Sequence, residues 1–297
     1  MTDARAISVI LPTRALAERG EALLRAIESV LGQRGVRAVP VVVINGGDAD
    51  PELRRRLEGD PRCRVFQLER PHLPAAIREG RRRVDTPWFA SLDDDDEYLP
   101  DGLARRLEAL DADPTLDLVV SNGIRRSAAG DRLQVTDPDP VRRDPLRALL
   151  EQHWLMPGSY LARSERVGVE LFDGMPPYLE NTYLALRFGL GYRFTFLDEP
   201  TMIRHLDTPN SVSKSEAYLH GQLDALRRLL ELPLPDDVRA GFRLRIAQVC
   251  HSASSRALAS RSLIRAWAWH LRSLGAPGGW RYLTYTRRLV FPWWPTR

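Results

Sequence analysis

The stretch Trp88-Phe89-Ala90-Ser91-Leu92-Asp93-Asp94-Asp95-Asp96-Glu97 joins a short apolar strand directly to five consecutive carboxylates. Adjacent carboxylates repel one another, so a folded protein tolerates them best where a cation or solvent takes up the charge. In an extended segment Asp93 and Asp95 point to one side and Asp94 to the other, so one alternating pair can hold a divalent metal. The alternative is a solvated acidic loop that caps the following helix.

Short apolar strands and helical patterns alternate through the first hundred residues. Pro12 is expected to end the first strand, and Asp50 to cap the second helix. The alternation predicts an α/β fold, with a Rossmann-type, mostly parallel sheet flanked by helices. Such sheets bind ligands beyond the carboxyl ends of their strands, where the acidic run lies, and this placement favours a ligand site over a solvated loop. The predicted strands are 7–11, 39–44, 65–68 and 88–92, and the predicted helices are 21–31, 51–57, 75–84 and 103–110.

The pattern changes along the rest of the chain. Residues 125–135 predict a hairpin or an exposed loop with Gly130-Asp131 as its turn, and residues 137–140 are expected to be irregular because they include two prolines. From Lys214 onward the apolar spacing is helical, which predicts one α/β domain over residues 1–213 and a C-terminal helical extension over 214–297. The other predicted elements are strands at 116–121 and 192–197 and a helix at 178–190.

Composition and charge exclude several classes of protein. Cys63 and Cys250 are the only cysteines among 297 residues, so neither a disulfide framework nor zinc-ligand spacing is present. The chain shows no signal-peptide pattern and no apolar run of membrane-spanning length, so a cytoplasmic location is expected. The formal net charge of +4 is unevenly spread, because residues 238–297 contain eleven arginines and no Asp or Glu.

Four short motifs carry a resemblance to a known family. The first strand ends in Pro12-Thr13, the second runs into Asn45-Gly46-Gly47-Asp48, and the fourth ends in the acidic run, with Pro100 following. Ser29-Val30-Leu31-Gly32-Gln33 lies between the first two. In order and spacing these motifs resemble the family 2 glycosyltransferases of the GT-A fold, which are nucleotide-diphospho-sugar transferases. Asn45 stands where that family usually has an aspartate.

The resemblance implies a site for a nucleotide-diphosphate sugar donor and a divalent metal, Mn²⁺ or Mg²⁺. Asp93 and Asp95 would hold the metal that bridges the diphosphate, and His205 would complete the metal shell or touch the diphosphate, although a lone histidine is often structural. A metal of this kind acts as a Lewis acid on the departing diphosphate. The residues implied to contact the nucleotide are Pro12, Thr13, Arg14, Asn45, Arg78, Asp93 and Asp94.

An inverting transfer also needs a general base near the acceptor hydroxyl. Family members usually place Glu-Asp before a helix at this point, and this chain has Glu180-Asn181. An amide cannot accept a proton at neutral pH, so Glu180 is the expected base, with Asp96 and Asp173 as alternatives. Asn181 and Trp154 are expected on the acceptor side; for Trp154, a place in the core is the alternative.

The C-terminal extension is rich in tryptophan as well as arginine. Five of the seven tryptophans follow residue 266. Arginines beside aromatic rings suit an anionic membrane surface, which predicts peripheral contact at the inner face of the membrane and an acceptor that is lipid-linked. The alternative is a helical lid on the α/β domain, whereas nucleic acid is not expected because no binding motif accompanies the charge.

The function expected from these features is a metal-dependent, inverting glycosyltransferase of cell-envelope, polysaccharide or glycoconjugate synthesis. It would move a sugar from a nucleotide-diphosphate donor to an acceptor hydroxyl. Two alternatives remain. A nucleotidyltransferase generally needs a glycine-rich basic phosphate loop, which is absent near residues 12–19. A degenerate, non-catalytic sugar-nucleotide-binding protein is suggested by Asn45 and Asn181.

Overall fold

The computed structural model describes residues 5–207 and 216–291. The chain forms two compact units, Met1–Pro209 and Asn210–Arg297. The first unit is built on one nine-stranded sheet and the second is helical.

The first half of the sheet is parallel and confirms the predicted alternation of strands and helices. Its strands lie in the order β3-β2-β1-β4, and each pair of neighbours is parallel. The Asp50 carboxylate accepts hydrogen bonds from the first-turn amides of Glu52 and Leu53, so the predicted cap is also confirmed. The elements are β1 (Ala6–Thr13), α1 (Gly20–Leu31), β2 (Arg37–Asn45), α2 (Pro51–Glu58), β3 (Arg64–Leu68), α3 (Leu73–Arg82) and β4 (Trp88–Ser91).

Pro12 does not end the first strand, contrary to prediction. It lies within β1 and pairs with Val43 of β2. The Leu92 amide donates to Ile10 O, so the backbone polar groups of Ile10 face β4. Residues two apart in a strand face the same neighbouring strand, so the backbone nitrogen of Pro12 also faces the β4 side. Because the paired register of β1 with β4 ends at Ile10, the missing N–H of Pro12 removes no ladder hydrogen bond.

The second half of the sheet is mixed. It continues in the order β4-β8-β6-β9-β5, with β7 paired to β6. Strand β8 is antiparallel to both β4 and β6, whereas β6 and β9 are parallel. The elements are β5 (Glu97–Tyr98), α4 (Gly102–Ala112), β6 (Leu118–Ser127), β7 (Gly130–Leu133), α5 (Asp139–Arg143), α6 (Pro145–Glu151), β8 (Tyr160–Arg163), α7 (Glu180–Gly191) and β9 (Phe194–His205).

Three local predictions for this half were wrong in part. The hairpin turns at Ala128-Ala129, because Ser127 pairs with Gly130, which already belongs to β7. Residues 139–143 form α5, since Pro140 lies in its first turn, where no helical hydrogen bond is lost. Strand β9 also runs past the predicted end at residue 197, because its second part pairs with β5.

The second unit contains four helices among its described residues: α8 (Glu216–Leu229), α9 (Asp236–Ala259), α10 (Leu263–Gly275) and α11 (Thr286–Val290). A 3-10 turn, Gly279–Tyr285, joins α10 to α11. Val238 and Phe242 of α9 are fully buried. Across the described residues, none of the helices combines the length and the apolar character needed to span a bilayer.

Gly80 allows α3 to lie close against β1. A Cβ atom built at Gly80 would lie 2.3 Å from Ile10 Cγ2, in the core of the sheet. Gly80→Ala should therefore lower the free energy of unfolding by about 1–3 kcal/mol, as overpacked core positions do, despite the better helix propensity of alanine.

Urea denaturation measures this change, and Gly20→Ala is the matched control. A Cβ at Gly20 of α1 meets only ordinary contacts, 3.6 Å from Leu53. Equal stability of the two variants would contradict the close approach of α3 to β1.

Candidate active site

The parallel strands reverse their order between β1 and β4. From β1 the chain adds β2 and then β3 on one side, and β4 then pairs with the opposite side of β1. In open α/β sheets, the carboxyl ends of the strands at such a switch point border a crevice that binds ligands. Thr13 ends β1 and the acidic run follows β4, so both lie at this crevice. The Thr13 hydroxyl donates to Asp94 Oδ2 over 2.6 Å.

Three of the four aspartates converge. Asp93, Asp95 and Asp96 each place one carboxylate oxygen within 4.8 Å of the other two, and we call them the carboxylate group. A turn closed by the Asp96 amide, which donates to Asp93 O over 3.2 Å, brings Asp96 beside Asp93. Asp94 faces away, towards Thr13 and Arg19. Asp96, predicted as a catalytic residue, therefore belongs to the same group as the predicted metal ligands.

Two arginines that the motifs did not identify partly balance this charge. Arg19, in a 3-10 turn just before α1, forms ion pairs with Asp94 and, over 3.2 Å, with Asp95. Arg25, one turn into α1, donates to Asp95 O over 3.0 Å. The available sequence signal was their position, because Arg19 and Arg25 lie between the Pro12-Thr13 motif and the motif that begins at Ser29, next to the start of α1.

Burial and mutual repulsion perturb the carboxylates. Burial, together with the charge of Asp95, raises the pKa of Asp93 to about 7, against the opposing charge of Arg204. Burial raises the pKa of Asp96 well above its ordinary value, and Asp93 and Asp95 add to the effect. The pKa of Asp94 is also raised by burial, although Arg19 and Thr13 oppose the shift. These are the shifts of carboxylates that a cation would stabilise.

The carboxylate group fits a divalent metal. Asp96 is 1% exposed, and its Oδ1 accepts from the His205 amide over 3.0 Å. Its Oδ2 is buried and has no hydrogen-bond partner among the described residues. A buried, unpaired carboxylate oxygen is costly unless a cation or a proton satisfies it. Carboxylate oxygens are also the ligands that Mg²⁺ and Mn²⁺ prefer.

His205, expected as a metal ligand, does not join the carboxylate group in this structure. Its ring Nε2 lies 2.9 Å from Glu97 Oε1. The cause is the strand register, because β5 pairs with β9 with Glu97 opposite Ile203. His205 instead contributes its backbone N–H to Asp96.

Most of the residues implied to contact the nucleotide lie at the ends of β1, β2 and β4, whereas Arg78 lies within α3. Asn45 is 7% exposed, and its side-chain oxygen accepts from the His72 amide over 2.6 Å. Arg14 forms a half-exposed ion pair with Asp48, and Pro12 is buried in β1. Arg78 pairs over 2.8 Å with Asp173, which was an alternative base. Arg78 and Asp173 thus neutralise each other in this structure.

Glu180 begins α7 after an unusual turn. Tyr178 and Leu179 adopt φ values of 67° and 56°, in the left-handed region that residues other than glycine rarely occupy. The Tyr178 amide donates to Glu180 Oε1 over 2.8 Å. Burial raises the pKa of Glu180, and its charge contributes to the raised pKa of Asp93. Glu180 is therefore electrostatically linked to the carboxylate group, and Asn181 follows it, half-buried, in the same helix.

Trp154 belongs to the core, which corrects its expected place on the acceptor side. The side chain is fully buried, its ring stacks on Phe194 at 5.3 Å, and its N–H donates to Pro145 O over 2.9 Å. Both the face and the polar edge of the indole are therefore occupied by the protein itself.

Comparison with known proteins agrees with this architecture. The fold is similar to the crystal structure of S. aureus TarS 1-349 in complex with UDP-GlcNAc, with a TM-score of 0.61 and 13% identity, covering 90% of this chain and 81% of that one. For TarS 1-349 in complex with UDP the TM-score is 0.58 at 12% identity, covering 95% of this chain and 91% of the other. These likenesses confirm the predicted GT-A fold.

A curated relative and a family model extend the comparison to sequence. The succinoglycan biosynthesis protein ExoO of Rhizobium meliloti (strain 1021) is 41% identical in an alignment of 187 residues that covers 58% of this chain. The chain spans about half the length of that relative (50%). The model of "Glycosyl transferase family 2" matches residues 8–164, which is more than half of the chain. This chain therefore belongs to glycosyl transferase family 2, as its motifs predicted.

Proposed function

We propose that this family 2 glycosyltransferase is metal-dependent and inverting, and that it acts in the synthesis of a cell-envelope polysaccharide or glycoconjugate. The observation that carries the proposal is the carboxylate group at the switch point of the sheet, beside Thr13. TarS binds UDP-GlcNAc and UDP, which supports a nucleotide-diphosphate sugar as donor. The name of ExoO, a succinoglycan biosynthesis protein, supports a polysaccharide product.

Asp93, Asp95 and Asp96 would hold Mn²⁺ or Mg²⁺. When bound, such an ion supplies positive charge to the diphosphate that leaves the sugar. The nucleotide would lie along the ends of β1 and β2, where Thr13, Arg14 and Asn45 are found. Asn45 offers its amide N–H groups there, because its oxygen already accepts from the His72 amide. Asp94 is held by Thr13 and Arg19. It would fix the loop between the metal-binding part and the nucleotide-binding part of the donor site.

Glu180 would take the proton from the acceptor hydroxyl, with Asn181 beside it to bind the acceptor. A carboxylate with a raised pKa accepts a proton more readily than an exposed one, which suits a general base. The hydrogen bond from the Tyr178 amide orients this carboxylate. Because burial raises the pKa of Glu180, the carboxylate form is lost as pH falls through the raised pKa, and transfer should slow with it.

Asp95→Ala should abolish the Mn²⁺-dependent part of UDP binding. The substitution removes one of the three oxygens of the carboxylate group and leaves Arg19 paired with Asp94 alone. Calorimetric titration of UDP, with Mn²⁺ and with a chelator, measures the effect. Asp101→Ala, which removes a half-exposed carboxylate paired with Arg105, is the control and should bind as the wild type. A Mn²⁺-dependent affinity that survives Asp95→Ala would rule out this metal site.

Glu180→Gln should leave donor affinity intact and lower turnover about 100-fold or more, the scale of general-base catalysis. The amide preserves the shape of the side chain but cannot accept the proton. Steady-state kinetics with a sugar acceptor measure turnover and donor KM separately. Glu165→Gln, at a side chain that is 74% exposed, is the control. Wild-type turnover in Glu180→Gln would reject this base, and donor binding without any turnover in the wild type would favour a degenerate binding protein.

The second unit presents a surface that would contact an anionic membrane from the cytoplasmic side and so reach a lipid-linked acceptor. Ile264 and Leu271, seven residues apart on one face of α10, are 87% and 60% exposed. Trp280 is 70% exposed, with the Arg281 guanidinium over its ring at 5.8 Å. Apolar side chains flanked by arginines are typical of interfacial helices. Trp293 and Trp294, which share the sequence pattern, lie outside the described residues.

Leu271→Ser should weaken binding to vesicles of anionic phospholipid at least about tenfold, because a leucine buried in the interface contributes about 1.5–3 kcal/mol. Co-sedimentation with the vesicles gives the partition coefficient. Leu133→Ser, at a 44%-exposed position of β7, is the control and should not change it. Equal partition of Leu271→Ser and the wild type would remove α10 from the contact.

A further inference from the structure

The helical unit contains an open cavity that the transfer reaction does not use. Its volume is about 570 Å³, within the range of about 300–1,000 Å³ typical of small-molecule sites. Helices α8, α9 and α10 and the residues just after α10 form its wall. All of the residues that line it belong to the unit Asn210–Arg297.

The floor of the cavity is apolar. Leu223, Cys250 and Trp269 line it, and each is less than 10% exposed, at 9%, 3% and 6%. These three side chains belong to one hydrophobic cluster that joins α8, α9 and α10. A polar ligand alone would leave this floor unused, whereas an alkyl chain would cover it.

The rim of the cavity is positive. The Arg272 guanidinium lies over the Trp269 ring at 4.9 Å, and Arg227 pairs over 2.8 Å with Asp224. Among the described residues of the lining, Asp224 is the single acidic one, against two arginines. Burial raises the pKa of the Cys250 thiol, and the positive charges of Arg272 and Arg227 oppose this rise. Both arginines therefore lie near enough to the cavity floor to affect it electrostatically.

We propose that this cavity binds an anionic amphiphile, with a phosphate or similar head group between Arg227 and Arg272 and an alkyl chain over the apolar floor. Arginine is well suited to phosphate, because its planar fork donates two parallel hydrogen bonds. A nucleotide base fits less well, since the Arg272 guanidinium already lies over the face of the Trp269 ring. The site is separate from the carboxylate group and does not depend on the proposed reaction.

Dodecyl phosphate, kept below its micellar concentration, is the probe. Calorimetric titration of the full chain should show one saturable site, with inorganic phosphate and dodecyl maltoside each binding at least about tenfold more weakly, a difference of about 1.4 kcal/mol. Equal binding of inorganic phosphate would overturn the role of the alkyl chain. Equal binding of dodecyl maltoside would overturn the role of the charge.

Arg272→Gln should weaken dodecyl phosphate binding about tenfold, because it removes a charge-assisted hydrogen bond to the head group. Arg281→Gln is the matched control, since Arg281 also stacks on a tryptophan of the same unit but does not line the cavity. An equal loss in both variants would mean general charge attraction and would overturn the site.

Gly275→Leu tests the cavity without changing charge. Gly275 lines the cavity, and a Cβ atom there meets no atom within 4 Å, so a leucine fits without a clash and should narrow the cavity and weaken binding at least about tenfold, or about 1.4 kcal/mol. Gly191→Leu, at an equally open glycine of α7, should bind as the wild type. Unchanged affinity of Gly275→Leu would overturn the proposal. Hydrolysis of the sugar nucleotide, assayed on the same variants, reports on the proposed reaction alone and should be unaffected.

Discussion

Repulsion among four adjacent aspartates at the end of a buried strand is the constraint around which this fold is arranged. The chain resolves it by dividing the charges between two directions. Asp94 turns to the Thr13 hydroxyl and the Arg19 guanidinium, which anchor it to β1 and to the start of α1. The other three converge in the carboxylate group, where the raised pKa values of Asp93 and Asp96 record the cost of bringing the carboxylates together without a cation. The neighbouring arginines offset part of that cost, and a bound cation or bound protons would offset the rest.

The strands around the acidic run determine what this cluster can reach. Because β4 pairs with β1 on the side opposite β2, the acidic run opens onto the switch point rather than onto a sheet edge. Strand β9 then returns beside β5, so that the His205 amide reaches Asp96 and its ring reaches Glu97. Thr13 and Arg19 near the start of the chain thus hold the Asp94 carboxylate, and the end of β9 holds the Asp96 carboxylate. The acidic loop is therefore fixed from both sides.

Much of this could be predicted from the sequence, because the parallel half of the fold depends on local patterns. Alternating strands and helices, the cap at Asp50 and the family motifs are all local. The alternation of Asp93, Asp94 and Asp95 was predicted for an extended segment, whereas a turn brings Asp96 beside Asp93, so its position could not be predicted in this way. The position of the His205 ring depends on the register of β9 against β5, a pairing between distant segments that local patterns do not identify. The place of Trp154 was ambiguous for a similar reason, because its burial depends on packing against Phe194, which is distant in the sequence.

The turn before α7 gives an independent reason to connect Glu180 with function. Two consecutive left-handed residues, Tyr178 and Leu179, cost about 1–2 kcal/mol each relative to ordinary backbone. A solvent-facing loop would relax such strain, and the fold keeps it where the Tyr178 amide meets the Glu180 carboxylate. The start of a helix favours the ionised carboxyl, whereas burial favours the neutral one and prevails, since the pKa is raised. Backbone strain beside a carboxyl with a perturbed pKa is typical of a catalytic position rather than of a structural helix cap.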